Sequence, residues 1–146
     1  MNYFDTSYLV RLYFEEPGSK EVRELRTSEP WACAWLGRIE MQAAFHRKFR
    51  ERQIERGPLR MLLAQFSEDC QRGEFKWLPF ELKLAGGIGE IFKELPRDQF
   101  LRSSDAVHLA CARRHGYRVI FSNDRNLLAA AKYFGLQGRN VIPVSR

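Results

Sequence analysis

Short apolar runs alternate with helical patterns along the whole chain, and this alternation constrains the fold more than any other feature of the sequence. The runs that favour strands cover residues 2–4, 31–34, 75–78, 117–121 and 141–142. No hairpin signal, such as Asn-Gly between two apolar runs, joins them. Strands separated by helices favour a parallel sheet that is covered on both faces. The sequence therefore predicts one α/β domain over residues 1–146, a three-layer α/β/α sandwich with a mostly parallel five-stranded sheet.

Cap and turn residues set the predicted limits of the helices. Ser19 is placed to cap a short helix through Leu25, and Gly57-Pro58 is expected to close one helix and open the next. The helical patterns cover residues 8–13, 36–56, 59–70, 82–95, 105–115 and 124–134.

Length and composition exclude several classes of protein. The chain has 146 residues, 45% of them hydrophobic, which supports one core and excludes general disorder. No apolar stretch approaches the roughly 18 residues of a membrane span, and the first residues do not resemble a signal peptide. We therefore expect a cytoplasmic protein that makes no membrane contact. Cys33, Cys70 and Cys111 are odd in number and far apart, so we interpret them as small buried side chains.

The charge balance points to a polyanionic partner. Lys and Arg number 24 against 18 Asp and Glu, a net charge of +6, and nucleic acid is the first candidate for such a protein. A solvated basic surface without a specific partner is the alternative. The same two interpretations apply to the basic segment from Arg47 to Arg60. Arg102 and Arg125 are stronger candidates for substrate contacts, because each is close in sequence to a candidate acidic residue.

Four acidic residues stand out by their positions in the predicted fold. Asp5 and Asp124 follow predicted strands, Asp105 lies at a helix start, and Glu40 lies in the first turns of the helix after the second strand. Residues beyond the carboxyl ends of parallel strands gather at one edge of the sheet. Four carboxylates there would repel one another unless a hard cation neutralises them or they take up protons.

Each of these acids also has an ordinary structural explanation. An Asp at a helix start can cap free backbone N–H groups, and Glu40 can be solvated or ion-paired. Taken together, the acids fit one cation-binding edge better than four coincidences. Carboxylates without His or Cys clusters select Mg²⁺ or Mn²⁺ over zinc. An acidic metal site within a basic protein indicates phosphodiester hydrolysis.

These segments resemble a PIN domain, and specifically the VapC-type toxins of bacterial toxin–antitoxin pairs. The matching segments are Asp5-Thr6-Ser7, Arg38-Ile39-Glu40, residues 104–110 (SDAVHLA) and residues 121–128 (FSNDRNLL). The resemblance spans essentially the whole chain. One departure is that many relatives carry Ser or Thr at the start of the helix that bears the glutamate, where this chain has residues 31–35 (WACAW).

The resemblance implies a Mg²⁺- or Mn²⁺-dependent endoribonuclease that acts as a toxin. By this resemblance the catalytic and metal-binding residues are Asp5, Glu40, Asp105 and Asp124, and Ser122 occupies the hydroxyl position before the last acid, where we expect a substrate contact. The family also implies a homodimer, an RNA substrate and an antitoxin whose tail fills the acidic cleft.

Two other functions compete with this one. A phospho-receiver signalling domain would need paired acids after the first strand and a Lys after a late strand, whereas Asp5 is single and Asp124 stands at the Lys position. A PIN-like RNA-binding module without catalysis would be expected to lack some of the acids, and none is missing here. His46, His108 and His115 are interpreted as packed or hydrogen-bonded side chains, and Trp31, Trp35 and Trp77 as core residues.

Overall fold

The protein folds around a five-stranded sheet whose neighbouring strands all pair in parallel, as a computed structural model of residues 1–144 shows. The strands are β1 (Asn2–Phe4), β2 (Trp31–Ala34), β3 (Phe75–Leu78), β4 (Val119–Phe121) and β5 (Gln137–Arg139). Their order across the sheet is β3-β2-β1-β4-β5. The predicted α/β class is confirmed.

Helices connect each strand to the next. They are α1 (Thr6–Leu9, extended by a 3-10 turn over Val10–Leu12), α2 (Ser19–Arg23), α3 (Trp35–Arg50), α4 (Arg56–Gln71), α5 (Lys83–Glu94), α6 (Ser103–Arg114) and α7 (Arg125–Ala130, extended by a 3-10 turn over Ala131–Phe134). Right-handed crossovers place α1 to α4 on one face of the sheet and α5 to α7 on the other. Accordingly, α3 packs against α1 and α4, and α6 packs against α5 and α7.

The strand order creates a crevice between β1 and β4. The chain leaves β1 towards β2 on one face, and leaves β4 towards β5 on the other, so the two connections diverge at this point. In open α/β sheets such a point, at the carboxyl ends of the strands, is where ligands bind. Asp5 and Asp124 follow these two strands.

The edge strand β5 differs from its prediction. We expected the last strand at residues 141–142, but it lies at Gln137–Arg139, a polar segment without an apolar run. Gly138 explains the close packing there, because a Cβ at this residue would lie 2.9 Å from Leu128 Cδ2. Ile142 is buried, but it packs against Gly18 and forms no strand.

Three smaller predictions about the helices and their residues are also corrected. The helix expected over 36–56 ends at Arg50, and α4 already includes Pro58 in its first turn, where proline is tolerated. Gly18, at φ 89°, is the N-cap of α2, while the Ser19 hydroxyl accepts from the Glu16 N–H and donates to the Phe14 carbonyl. Trp35 is 54% exposed and so does not belong to the core.

The expectation of buried cysteines is confirmed for two of the three. Cys33 and Cys111 are buried, Cys70 is partly buried, and all three are free thiols. Within residues 1–144, no helix has both the length and the apolar character needed to cross a membrane.

Candidate active site

All four predicted acids line one pocket at the carboxyl edge of the sheet. Asp5 and Asp124 come from the ends of β1 and β4, whereas Glu40 and Asp105 come from α3 and α6 on opposite faces. The pocket has a volume of about 270 Å³ and is lined by Asp5, Thr6, Ser7, Glu40, Arg102, Asp105, His108, Asn123 and Asp124. The fold therefore brings together residues that are separated by up to 119 positions in sequence.

Asp5 directly follows β1, and hydrogen bonds fix it beside the end of the neighbouring strand β4. Its backbone N–H donates to the Phe121 carbonyl at 3.0 Å. Its Oδ1 accepts from the Ser7 N–H at 3.0 Å and the Ser7 hydroxyl at 2.5 Å, and its Oδ2 accepts from the Ser122 hydroxyl. Burial raises the pKa of the Asp5 carboxyl above its ordinary value, although the hydrogen bonds from Ser122 and Ser7 oppose that shift.

Ser122 links two of the acids. Its hydroxyl donates to Asp5 Oδ2 and accepts from the Asp124 N–H at 3.0 Å. The Ser122 side chain is fully buried and does not line the pocket. It therefore supports the positions of Asp5 and Asp124, and the expected direct contact with substrate does not fit its location.

The capping interpretation holds for two of the acids and not for a third. Asp5 caps α1, and Asp124 caps α7 by accepting from the Leu127 N–H at 2.9 Å. Asp105 is the third residue of α6, whose N-cap is Arg102, so it caps nothing. Capping and site formation are compatible at Asp124, because its second oxygen faces Arg102.

Arg102 lies between two of the carboxylates. Its Nε donates to Asp105 Oδ2 at 2.9 Å, and its Nη2 donates to Asp124 Oδ2 at 3.1 Å. The guanidinium thus neutralises part of the repulsion that we expected between clustered acids. Arg125 is exposed in the first turn of α7 and does not line the pocket.

Glu40 is held by two donors. The Thr6 hydroxyl donates to Glu40 Oε1 at 2.9 Å, and His108 Nε2 lies 2.5 Å from the same oxygen. Burial opposes the charge of Glu40, but the hydrogen bonds from His108 and Thr6 lower the pKa of its carboxyl below the ordinary value.

His108 lines the pocket, although its sequence context predicts only a packed or hydrogen-bonded histidine. It is buried and hydrogen-bonded, as we expected of a packed histidine, but its partner is one of the candidate acids. Its position three residues after Asp105 places both on one helix face. That spacing was the available signal, and it does not reveal the contact with Glu40.

The donor set suits a hard divalent cation. Four carboxylates supply the oxygen ligands that Mg²⁺ and Mn²⁺ prefer. As the side chains stand within residues 1–144, no three His, Cys, Asp or Glu residues converge closely enough to enclose an ion, and the Arg102 guanidinium lies between Asp105 and Asp124. The Arg102 side chain is 56% exposed, so it can rotate towards solvent and leave the carboxylates of Asp105 and Asp124 free to bind a cation.

Comparison with known proteins agrees with this fold. The family model of the PIN domain matches residues 3–133, and the chain belongs to this family. Its fold is similar to that of a chain in the "Structure of FitAB bound to IR36 DNA fragment", with a TM-score of 0.70 over 100% of this chain and 99% of that one, at 13% identity. A search of curated protein sequences gave no match.

The family and the sheet order together exclude one alternative. Receiver-type domains have the strand order 2-1-3-4-5, whereas this sheet runs β3-β2-β1-β4-β5. The resemblance to a PIN domain is confirmed, and the phospho-receiver interpretation is set aside.

Proposed function

We propose that this PIN domain is a Mg²⁺- or Mn²⁺-dependent endoribonuclease that acts as the toxin of a toxin–antitoxin pair. PIN domains are generally nucleases. The observation that carries the proposal is the convergence of Asp5, Glu40, Asp105 and Asp124 on one pocket from four different elements.

In this proposal the four acids share the work of binding the cation. Asp5, Asp105 and Asp124 would be direct ligands, and Glu40 would bind the cation directly or through a water molecule. A bound cation supplies activation of water and shielding of the charge that develops on the phosphodiester. Hydrolysis of this kind leaves 5′-phosphate and 3′-hydroxyl ends.

Arg102 has the best position for a substrate contact. Once it releases Asp105 and Asp124, its guanidinium can donate to a phosphate at the mouth of the pocket. Arg125 and the Arg47–Arg60 segment supply further positive charge for holding RNA. Part of that segment is already neutralised, because Arg47 pairs with Glu51 and Lys48 with Glu16.

The proposed partners rest on the resemblance to VapC-type toxins and on the likeness to a FitAB chain. We propose an antitoxin whose tail fills the acidic cleft, a homodimer and a cytoplasmic location. The homodimer would explain why large apolar side chains are exposed. Trp35 and Ile39 lie on α3, Phe92 lies on α5, and Leu82 directly precedes α5. Contact between two copies would remove such side chains from water.

A cleavage assay with end-group analysis tests the proposed function. Wild type should cleave RNA with Mn²⁺ and lose that activity in EDTA, and Asp5→Asn should lose about 10²–10³-fold or more in rate while still binding RNA. Asp98→Asn, a change at an exposed acid outside the pocket, is the matched control. Cleavage that persists in EDTA, or that leaves 2′,3′-cyclic phosphates, would contradict the metal mechanism. RNA binding without cleavage would identify a non-catalytic RNA-binding module.

A further inference from the structure

We infer that Tyr3 and His108 are positioning residues that fix the orientation of the Glu40 carboxylate. The inference rests on the proposed function only in taking Glu40 as part of the metal-binding set. It assigns a purpose to two buried polar side chains that the proposed reaction does not otherwise use.

A continuous chain of hydrogen bonds leads from the centre of the sheet to Glu40. The Ala34 N–H at the end of β2 donates to the Tyr3 hydroxyl at 2.8 Å. That hydroxyl lies 2.5 Å from His108 Nδ1, and His108 Nε2 lies 2.5 Å from Glu40 Oε1. Tyr3 is 0% exposed and His108 is 2% exposed, so water does not compete for the bonds that join Ala34, Tyr3 and His108.

The direction of the protons follows from the acceptor at the end of the chain. The ionised Glu40 carboxylate only accepts, so His108 Nε2 carries a proton, and the Tyr3 hydroxyl can donate its own proton to an unprotonated Nδ1. A neutral His108 that accepts at Nδ1 carries its proton on Nε2, and a protonated His108 carries one there as well. In either state Nε2 donates to Glu40, so the positioning does not depend on the charge of the ring.

The two donors to Glu40 use the same oxygen. Thr6 and His108 both engage Oε1, and within residues 1–144 no side chain or backbone group hydrogen-bonds to Oε2. One oxygen is therefore fixed, and the other is left for a ligand. A glutamate side chain that is 31% exposed would otherwise lose rotamer freedom on binding a cation. Partners that orient a metal-binding carboxylate typically change metal affinity by about 10- to 100-fold when removed.

If Tyr3 and His108 only stabilised the fold, removing the Tyr3 hydroxyl should have no more effect on Glu40 than removing another hydrogen-bonded tyrosine hydroxyl. Tyr13 provides that comparison. The Tyr13 hydroxyl donates to Asp69 Oδ2 at 2.5 Å, in a groove that shares no residue with the acidic pocket. Tyr3→Phe and Tyr13→Phe thus remove the same atom from a polar contact. Only Tyr3→Phe should affect Glu40.

The first measurement is Mn²⁺ affinity by electron paramagnetic resonance, on the full chain without RNA. We expect about 10- to 100-fold weaker binding in Tyr3→Phe and in His108→Leu, and no change in Tyr13→Phe. His108→Gln, which keeps an N–H donor, should restore part of the affinity lost in His108→Leu. In a Glu40→Gln background, Tyr3→Phe should cause no further loss.

The second measurement is the ¹H NMR signal of the His108 Nε2 proton in metal-free protein. We expect a downfield resonance that is absent in His108→Leu and displaced in Glu40→Gln. If the chemical shift of the Nε2 proton is the same in Glu40→Gln as in wild type, the inference is overturned. It is also overturned if Tyr3→Phe and Tyr13→Phe bind Mn²⁺ with equal affinity. Wild type that binds no Mn²⁺ would refute the proposed metal chemistry, and the NMR comparison would still decide whether His108 holds Glu40.

Discussion

Arg102 donates to Asp105 and to Asp124 at the same time, so one exposed side chain bridges acids from α6 and from the end of β4. The guanidinium and a divalent cation would compete for the same two carboxylates. Arg102 therefore has two opposed effects, holding the acids together and keeping a cation away from them.

The first prediction concerns this competition. Arg102→Gln should tighten Mn²⁺ binding in the absence of RNA, because the cation no longer has to displace the guanidinium from the two carboxylates. An exposed ion pair contributes about 0.2–1 kcal/mol, so the Mn²⁺ affinity should rise by up to about 5-fold for each pair removed. Isothermal titration calorimetry measures the change. Arg125→Gln, an exposed arginine outside the pocket, should leave the affinity unchanged. Weaker Mn²⁺ binding in Arg102→Gln would mean that the guanidinium organises the site.

The second prediction concerns the pH dependence of stability. Burial raises the pKa of Asp5 in the folded protein. Its ionised form therefore destabilises the fold, and this penalty is fully present above the folded pKa and disappears as the pH falls below the ordinary value of 3.8. Asp5→Asn should raise the metal-free melting temperature at pH 7, and the gain should shrink as the solution is acidified. Thermal melts across that range test it.

A control separates this effect from a general loss of charge. Asp98→Asn removes an exposed carboxylate and should leave the melting temperature unchanged at every pH. If Asp5→Asn is less stable than wild type at pH 7, the hydrogen bonds from Ser7 and Ser122 to the charged carboxylate outweigh its desolvation.

The third prediction separates helix capping from catalysis at Asp124. Asp124→Asn keeps an oxygen for the Leu127 N–H and should leave the free energy of unfolding nearly unchanged. Asp124→Ala removes the cap and should cost about 0.5–2 kcal/mol in urea denaturation. Both variants should lose cleavage. An active Asp124→Asn would show that this residue serves only as a cap.

The fourth prediction concerns RNA binding by the inactive enzyme. The binding constant of Asp5→Asn for RNA should fall steeply with salt, since basic side chains release counterions from the phosphate backbone. Fluorescence anisotropy over a series of NaCl concentrations gives the slope. Arg102→Gln in the same background should remove one phosphate contact. The slope of the logarithm of the binding constant against the logarithm of the salt concentration should then become shallower by about 1. A slope near zero would contradict a charge-based RNA surface.

The fold and the strand-end acids could be predicted because their signals are local. Asp5 and Asp124 each follow an apolar strand and precede a helix, and both features can be recognised from a few neighbouring residues. The edge strand β5 was misplaced because Gln137–Arg139 is polar, and its pairing depends on the neighbour β4.

The hydrogen-bonded network could not be predicted because its partners are distant in sequence. His108 contacts Glu40 across 68 positions and Tyr3 across 105. Periodicity places a side chain on a helix face, but it does not say which side chain of another element meets it there. The same limit applies to Ser122, whose contact with Asp5 spans 117 positions.

The pocket needs residues from the ends of β1 and β4, so it cannot form before Asp124 has been synthesised. During synthesis β1 to β3 and their helices are made before Ser122 and Asp124. A chain that ends before Ser122 lacks the Asp124 carboxylate and the hydroxyl that joins Asp5 to Asp124. Any hydrolytic activity that needs all four carboxylates would therefore be absent from the nascent chain until Asp124 has been made.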